Sequence, residues 1–479
     1  MTKHLDIDTK AMRAKILDLA IRGKLTDQRQ EDGNARDLLK EIQAEKERLI
    51  KEKKIKEEKP LPEITEEEKP FDIPDSWEWV RLGEIIELQS GQDFPKSKYS
   101  DTDKEGIPYI TGASCFTKNG VLENRWTRFP KCIATKGDIL LVCKGSGYGK
   151  ITVCNLQEVH IARQIMAIKR NEHLSLSYIE SFLMARIKLI KENGQGLIPG
   201  ISRDIVLNLL FPLPPLAEQQ RIADKVSALF AQLDVIDKAY EEYRELQQIM
   251  KAKLLELAIQ GKLTDQRKED GNARDLLKEI QAEKEKLIKE KKIKKEKPLP
   301  EITEEEKPFE IPENWMWVRL NSIYNFIDYR GKTPKKLTEG IPLVTAKNVR
   351  MGYNDYSVKD FISAEEFKLR QSRGISHKGD LLFTTEAPLG NVSLADLDCF
   401  STGQRLIDFQ AYNSLAVSNK LFMYFIMSSF FQQALIDNQT GTTVAGIKAS
   451  RLKAILIPLP PLAEQKRIVA KLDELLPLL

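Results

Sequence analysis

The sequence predicts two α/β globular domains separated by long, antiparallel, coiled-coil-like conserved helices, arranged as an internal repeat with a pseudo-two-fold axis. Three observations carry this expectation. The block at 14–82 returns at 252–320 with 59 of 69 positions identical. A shorter block, LPPLAEQQRI at 213–222, returns as LPPLAEQKRI at 459–468. Between the repeated blocks lie two stretches that hardly resemble each other. The constant parts therefore read as scaffold, and the divergent parts as the regions that differ in what they bind.

The elements follow in order. Residues 1–25 hold a helical piece that matches the second half of a longer helix at 213–262. Residues 459–479 match the first half of that same helix, so the two chain ends form a split copy of it. In the central copy, Pro214 and Pro215 suit a helix start. Ile222, Val226, Leu229, Leu233, Ile236, Tyr240, Tyr243, Leu246, Met250, Leu254 and Leu257 then recur at steps of three and four, a heptad-like seam that Gly261 closes. One apolar stripe needs a covering helix, and the split copy is the expected cover. Residues 26–76 and 263–314 each hold a Glu/Lys-rich helix, expected over 35–56 in the first copy and ended by Pro60 and Pro62, with Leu38, Leu39, Ile42, Leu49 and Ile50 as a narrow apolar stripe. The divergent domains run over 77–212 and 315–458. They share KGD-led apolar runs (Lys136–Leu141, Lys378–Phe383) and GIP-led ones (Gly106–Ile110, Gly340–Val344), which predicts one common fold with different loops.

Composition narrows the function classes. The chain has 479 residues, 41% hydrophobic and 30% charged, enough apolar material for several cores alongside long solvated helices. Cys115, Cys132, Cys143, Cys154 and Cys399 form no CxxC pair, and with four histidines no zinc spacing arises, so reduced thiols in a cytoplasmic protein are expected. The longest apolar stretches are too short for a membrane span. Residues 80–210 and 319–458 each carry a net charge of about +5 against +4 for the whole chain, which makes the remainder acidic. Nucleic acid would meet the domains rather than the helices, unless the lysines are ordinary scatter.

Catalytic motifs are missing. Gly145-Ser146-Gly147-Tyr148-Gly149-Lys150 fails the Walker spacing, because Lys144 stands where the first glycine belongs, and reads instead as a glycine-rich turn between strands. No GxSxG elbow, HExxH helix or Asp-Pro-Pro-Tyr-type methyltransferase loop occurs. What remains is a set of polar and basic loop residues. In the first domain these are Gln92, Lys96, Lys98, Lys144, Ser146, Tyr148, Lys150, Arg163 and Gln164. In the second they are Arg330, Lys332, Thr333, Lys335, Lys336, Lys347, Asn348, Arg350, Gln404, Arg405, Thr442, Thr443 and Lys448. These residue types bind phosphates and base edges, and equally populate ordinary surfaces.

With the LPPLAEQ blocks, the GKLT-containing helices and the KPLPEITEEEKPFDIPDSWEWVRLGEI segment in that repeated order, the whole chain closely resembles the specificity subunit of type I restriction–modification enzymes. The resemblance implies a non-catalytic subunit whose two target-recognition domains each read half of a bipartite site in double-stranded DNA. It also implies conserved helices that set the spacing and dock two methyltransferase (modification) subunits, with restriction/translocase subunits joining for cleavage. The chain itself would hold no cofactor, and S-adenosylmethionine would bind the partner methyltransferase. Surfaces near Leu216, Glu218 and Gln219, and their copies Leu462, Glu464 and Gln465, would meet that partner or else cap and pack within the spacer. The competing reading is a coiled-coil adaptor that joins two different proteins without DNA.

Overall fold

Each copy of the repeated block opens on a helix closed by an obligatory glycine. The computed structural model, which describes residues 7–57, 59–145, 147–193, 200–329, 333–441 and 445–479, ends the helix Thr9–Ile21 at Gly23 and the central helix Leu216–Ile259 at Gly261. Both glycines are left-handed, with φ of 67° and 69°. The next N–H reaches back to a carbonyl one turn earlier, Lys24 to Leu19 at 2.9 Å and Lys262 to Leu257 at 2.8 Å. A Cβ at either position would lie 2.5 Å from a proline ring, Pro74 or Pro312. The chain divides at Tyr240/Glu241 into an N-terminal and a C-terminal unit, each with its own core.

The charged helices are shorter than expected. They span Ala35–Lys51 and Ala273–Lys289, each started by an asparagine side chain, Asn34 or Asn272, that accepts a main-chain N–H. The first was expected to run to Lys56 and stop at the prolines. Instead Lys53 adopts φ 55° and Lys54 N–H bonds to Leu49 O at 2.9 Å, so the chain turns back well before Pro60. Leu38 and Ile42 of the predicted stripe are buried.

The divergent domains do share a fold. In the N-terminal unit, Glu78–Arg81 pairs antiparallel with Leu210–Leu213. A four-stranded antiparallel sheet follows the order Leu88–Ser90, Ile165–Ile168, Ile139–Val142, Ile151–Val153. A second sheet contains the parallel pair Ile107–Ile110 and Glu158–Ile161. The C-terminal unit repeats this plan. Met316–Arg319 pairs with Leu456–Leu459, the antiparallel sheet runs Tyr324–Asp328, Leu406–Ala411, Leu381–Thr385, Leu389–Leu394, and the parallel pair is Ile341–Val344 with Ser401–Thr402. One difference lies in the helical layer. The single helix Leu176–Asn193 is replaced by Asn419–Met427 and Ser429–Asp437, broken at Ser428, whose hydroxyl caps the second piece through Phe431 N–H. Gly147–Gly149 form a turn between the strands Ile139–Val142 and Ile151–Val153, as the sequence indicated, with Gly149 N–H on Val142 O at 2.7 Å.

A buried carboxylate ties each unit together. Glu218, only 1% exposed, accepts hydrogen bonds from Trp77 Nε1 at 2.8 Å, Gln28 Nε2 at 2.6 Å and Thr26 Oγ1 at 3.3 Å. Glu464, fully buried, accepts the equivalent bonds from Trp315, Gln266 and Thr264 at 2.7, 2.6 and 3.2 Å. Burial pushes both carboxyls above their ordinary range, and the donors oppose that shift. The adjacent glutamines are buried too. Gln219 accepts from Ser175 N–H and donates to Pro214 O, each at 2.9 Å, and Gln465 does the same with Ser418 and Pro460. One turn on, Arg221 and Arg467 form two-pronged ion pairs with Asp32 and Asp270. This corrects the expectation that Glu218, Gln219, Glu464 and Gln465 face a partner protein. They are interior and fully engaged within their own units, which is the packing alternative. Of the six residues, only Leu216 is well exposed, and Leu462 is half-buried.

The seam of the central helix is covered only at its ends. Ile222 and Val226 join the N-terminal core together with Leu17, Ala20 and Ile21 of the first helix, while Arg13 bridges to Asp234 and Asp237 at 2.9 and 2.8 Å. Leu255, Ala258 and Ile259 join the C-terminal core with Ile468 and Leu472 of the helix Leu462–Leu475. Between them Tyr243, Leu246 and Met250 stand about half exposed, at 49%, 58% and 51%.

Removing Glu464 with Glu464→Ala strands the buried Trp315 Nε1 and leaves Gln266 Nε2 with only its bond to Gly261 O. The C-terminal unit should lose about 2–4 kcal/mol of stability, and Glu218→Ala should do the same to the N-terminal unit. Calorimetry that resolves the two units should show each substitution moving one transition. A second prediction concerns Asp408, which is fully buried on the strand Leu406–Ala411 with neither carboxyl oxygen hydrogen-bonded. Burial, reinforced by Asp380, raises its pKa far above the carboxylate range. Its folded state therefore favours the protonated form, so its contribution to stability is complete below the unfolded value of about 3.9 and is lost as pH climbs toward the folded value. As pH rises above about 4, wild type should lose more stability than Asp408→Asn, measured by thermal melts; parallel pH profiles would contradict this.

Candidate nucleic-acid interface

Strand register superposes the two units residue by residue. Ile168 pairs with Ile139 in the first, and Phe409 with Leu381 in the second. Counting back along each strand, Arg163-Gln164 and Gln404-Arg405 occupy the same two positions. They form the turn that leads from the parallel strand into the centre of the antiparallel sheet.

The main-chain bonds around this turn are the same in both units. Ala162 N–H donates to Ile110 O at 3.0 Å, and Gly403 N–H to Val344 O at 2.7 Å. Gln164 O accepts from Cys143 N–H at 2.7 Å, and Arg405 O from Thr385 N–H at 2.9 Å. Cys143 O and Thr385 O in turn accept from Ile201 and Ile447. A conserved backbone frame thus presents different side chains. Gly91 lets another loop approach it, since a Cβ there would sit 2.1 Å from Ala162 O.

Several of the sequence-predicted residues meet at this end. Gln92 N–H bonds to Ile161 O, Gln164 Oε1 lies beside Gly112, and Lys144 extends exposed from the residue after Cys143. Arg163 pairs with Asp93 at 2.8 Å. In the C-terminal unit, Gln404 bonds to Thr333 and Arg405 pairs with Glu386 at 2.9 Å. Lys347 is exposed on the turn that Gly403 packs against.

Others stand apart. Lys96 and Lys98 are exposed near the edge strand Trp126–Thr127, where Thr127 Oγ1 donates to Lys98 O at 2.8 Å. Lys336 pairs with Asp360 at 2.5 Å beside the corresponding edge, and Lys335 next to it is exposed. Tyr148 is half-buried under Lys191, Lys150 is exposed, and Lys448 heads the helix Ala449–Ala454. Arg350 pairs with Asp355 at 3.1 Å. Asn348 is a correction. It is 2% exposed, and its amide is fully used, accepting from Thr345 N–H and donating to Asp355 O and Val358 O, so it shapes a loop and has no group left for a base. Ser146, Arg330, Lys332, Thr442 and Thr443 lie outside the described residues.

Two acidic residues that sequence pattern does not single out lie against these basic ones. Asp93 accepts from Arg163 N–H at 3.1 Å as well as holding its guanidinium, and Glu386 holds Arg405. No sequence motif marks either. The signal is the strand register, which aligns the two turns.

Comparison with known proteins agrees with this duplicated plan. Residues 74–242 and 312–477 match the family described as the type I restriction modification DNA specificity domain. The chain is 33% identical to the type I restriction enzyme EcoAI specificity subunit of Escherichia coli, over 98% of this chain and 89% of that protein. It is 28% identical to the EcoEI specificity subunit of the same species, over 97% and 88%. A chain solved in a study of assembly and conformational transition of the type I system superposes with a TM-score of 0.56 at 22% identity, covering 85% of this chain and 91% of that one.

Proposed function

The chain belongs to the type I restriction–modification DNA specificity family and is a specificity subunit of such a system, and on that premise we propose that each of its two divergent domains reads one half of a bipartite double-stranded DNA site. The observation that carries this reading is one backbone frame, repeated in both units, that presents different polar side chains at the same register positions. A reader of two different half-sites needs this combination. The frame fixes approach to the duplex, and a few loop side chains choose bases.

In this reading Gln92, Lys144, Arg163 and Gln164 face one half-site and Thr333, Lys347, Gln404 and Arg405 the other. The more distant Lys96, Lys98, Tyr148, Lys150, Lys335, Lys336, Arg350 and Lys448 contact phosphates, which set register and carry no sequence information. The subunit performs no chemistry itself. Methyltransferase subunits bring S-adenosylmethionine and the transfer reaction, and restriction/translocase subunits bring cleavage. The central helix sets the separation of the half-sites, because one continuous helix contributes its beginning to one core and its end to the other. Among the described residues no helix is long and apolar enough to cross a membrane. The adaptor alternative is not favoured by the family match.

Exchange of residues 77–212 for the corresponding domain of another specificity subunit should change one half of the methylated site and leave the other intact, as read by sequencing methylated adenines. A change in both halves would sink the modular reading. Inserting about four residues near Ala239 lengthens the helix by roughly 6 Å, against about 3.4 Å per base pair. The preferred spacer should grow by one or two base pairs with both half-site sequences unchanged; an unaltered spacer would mean that the helix is not the ruler.

A further inference from the structure

The register-matched turns contain one arginine each, at adjacent positions, and both arginines are held in the same chemical manner. Arg163 Nε lies 2.8 Å from Asp93 Oδ2, and Arg405 Nε lies 2.9 Å from Glu386 Oε1. The acids come from different elements. Asp93 follows the edge strand Leu88–Ser90, whereas Glu386 follows the central strand Leu381–Thr385. The same pairing has thus been built in two ways around one turn.

In both cases the carboxylate lies closest to Nε as an ion-pair contact, and among the described residues neither Nη group makes a hydrogen bond. The guanidinium end carrying two parallel N–H donors is left available, and this is the geometry that engages the O6 and N7 acceptors of guanine in the major groove. A carboxylate on Nε also limits the rotamers of a long side chain, so less freedom is lost on binding. The arginine side chains are 70% and 51% exposed, so neither pair is a packing device.

The backbone supplies an independent observation. Arg405 has φ 64°, a left-handed conformation that a long L side chain rarely adopts. Such conformations persist where the surroundings over-determine them, and they cluster at functional positions. Here Thr385 N–H on Arg405 O and the Glu386 ion pair fix both the main chain and the side chain of one residue. Asp93 does likewise for Arg163, binding both its N–H and its guanidinium.

We propose that Arg163 and Arg405 are the principal specificity-determining residues of their respective domains, that each selects a guanine in its half-site, and that Asp93 and Glu386 act as positioning residues that hold them. This inference rests on the DNA-reading function proposed above. It goes further in naming the residue, the base and the acidic support.

The test uses the full chain co-expressed with its own modification subunit, with methylated adenines mapped across the genome and binding measured on DNA of the mapped sequence. Wild type should methylate a bipartite motif with a guanine in each half; absence of any bipartite motif would instead overturn the general reading. Arg405→Gln should relax one guanine position in one half-site, lowering discrimination there by roughly 5- to 150-fold, with the other half-site unchanged as an internal control of folding. Arg163→Gln should do the same in the opposite half. Arg405→Lys should fail to restore the preference, because a point charge cannot replace the two-pronged donor. Glu386→Gln should weaken the same position and no other. The proposal is overturned if the wild-type motif survives Arg405→Gln, or if that variant weakens all sequences equally and lowers the salt dependence by about one ion, the signature of a phosphate contact.

Discussion

The structure depends on a glutamate placed where water cannot reach it. Glu218 and Glu464 sit one turn into a helix, yet they do not face solvent. Each collects a tryptophan indole, a glutamine amide and a threonine hydroxyl from segments far away in sequence. A buried carboxylate is costly unless its oxygens are satisfied. Three donors supply that, and the requirement fixes how the GKLTDQ turn, the Trp77 or Trp315 strand entry and the helix start must meet. The neighbouring Gln219 and Gln465 extend the junction to the helical layer of each domain. Every residue of the carboxylate site lies in a repeated block. That explains why those blocks stay nearly identical while the sequence between them diverges.

Much of the fold was legible in the sequence because repetition is a strong signal. The constant 238-residue offset between Gly23 and Gly261 reported two equivalent helix ends, and both are closed by the same left-handed glycine. The KGD and GIP runs reported a shared domain fold. Three things were not legible. The end of the charged helix at Lys51 depends on a lysine entering a left-handed conformation, which propensity does not favour. The half exposure of Tyr243, Leu246 and Met250 does not follow from the seam pattern, which marks all three as apolar positions. The LAEQ motif could be read as a partner surface or as packing within the spacer, because polar residues at helix positions suit both and only the tryptophan and turn donors reveal an interior.

The candidate interface was legible in residue type and not in role. Arginine, lysine and glutamine on loops pointed to nucleic acid, but the same rule selected Asn348, whose amide is consumed by its own loop. It also passed over Asp93 and Glu386, since a polyanion repels acids. Strand pairing resolved this by aligning Arg163-Gln164 with Gln404-Arg405. Two domains that differ widely in sequence can then be compared at single positions, and what they share is an arginine restrained by a carboxylate.

The closure of the N-terminal core bears on how the chain is made. Thr9 bonds to Asp237, a separation of 228 residues, and Arg13 bridges to Asp234. At ribosomal speeds of about 5–20 residues per second, the first helix waits on the order of ten to forty-five seconds before its partner emerges. During that interval Leu17, Ala20 and Ile21 lack the central helix and can meet only segments made before it, among them the helix Leu176–Asn193. Contacts this distant along the chain form slowly once available. The first helix is therefore held without its central-helix contacts for most of the synthesis of its unit, which closes only when the residues near Asp237 emerge.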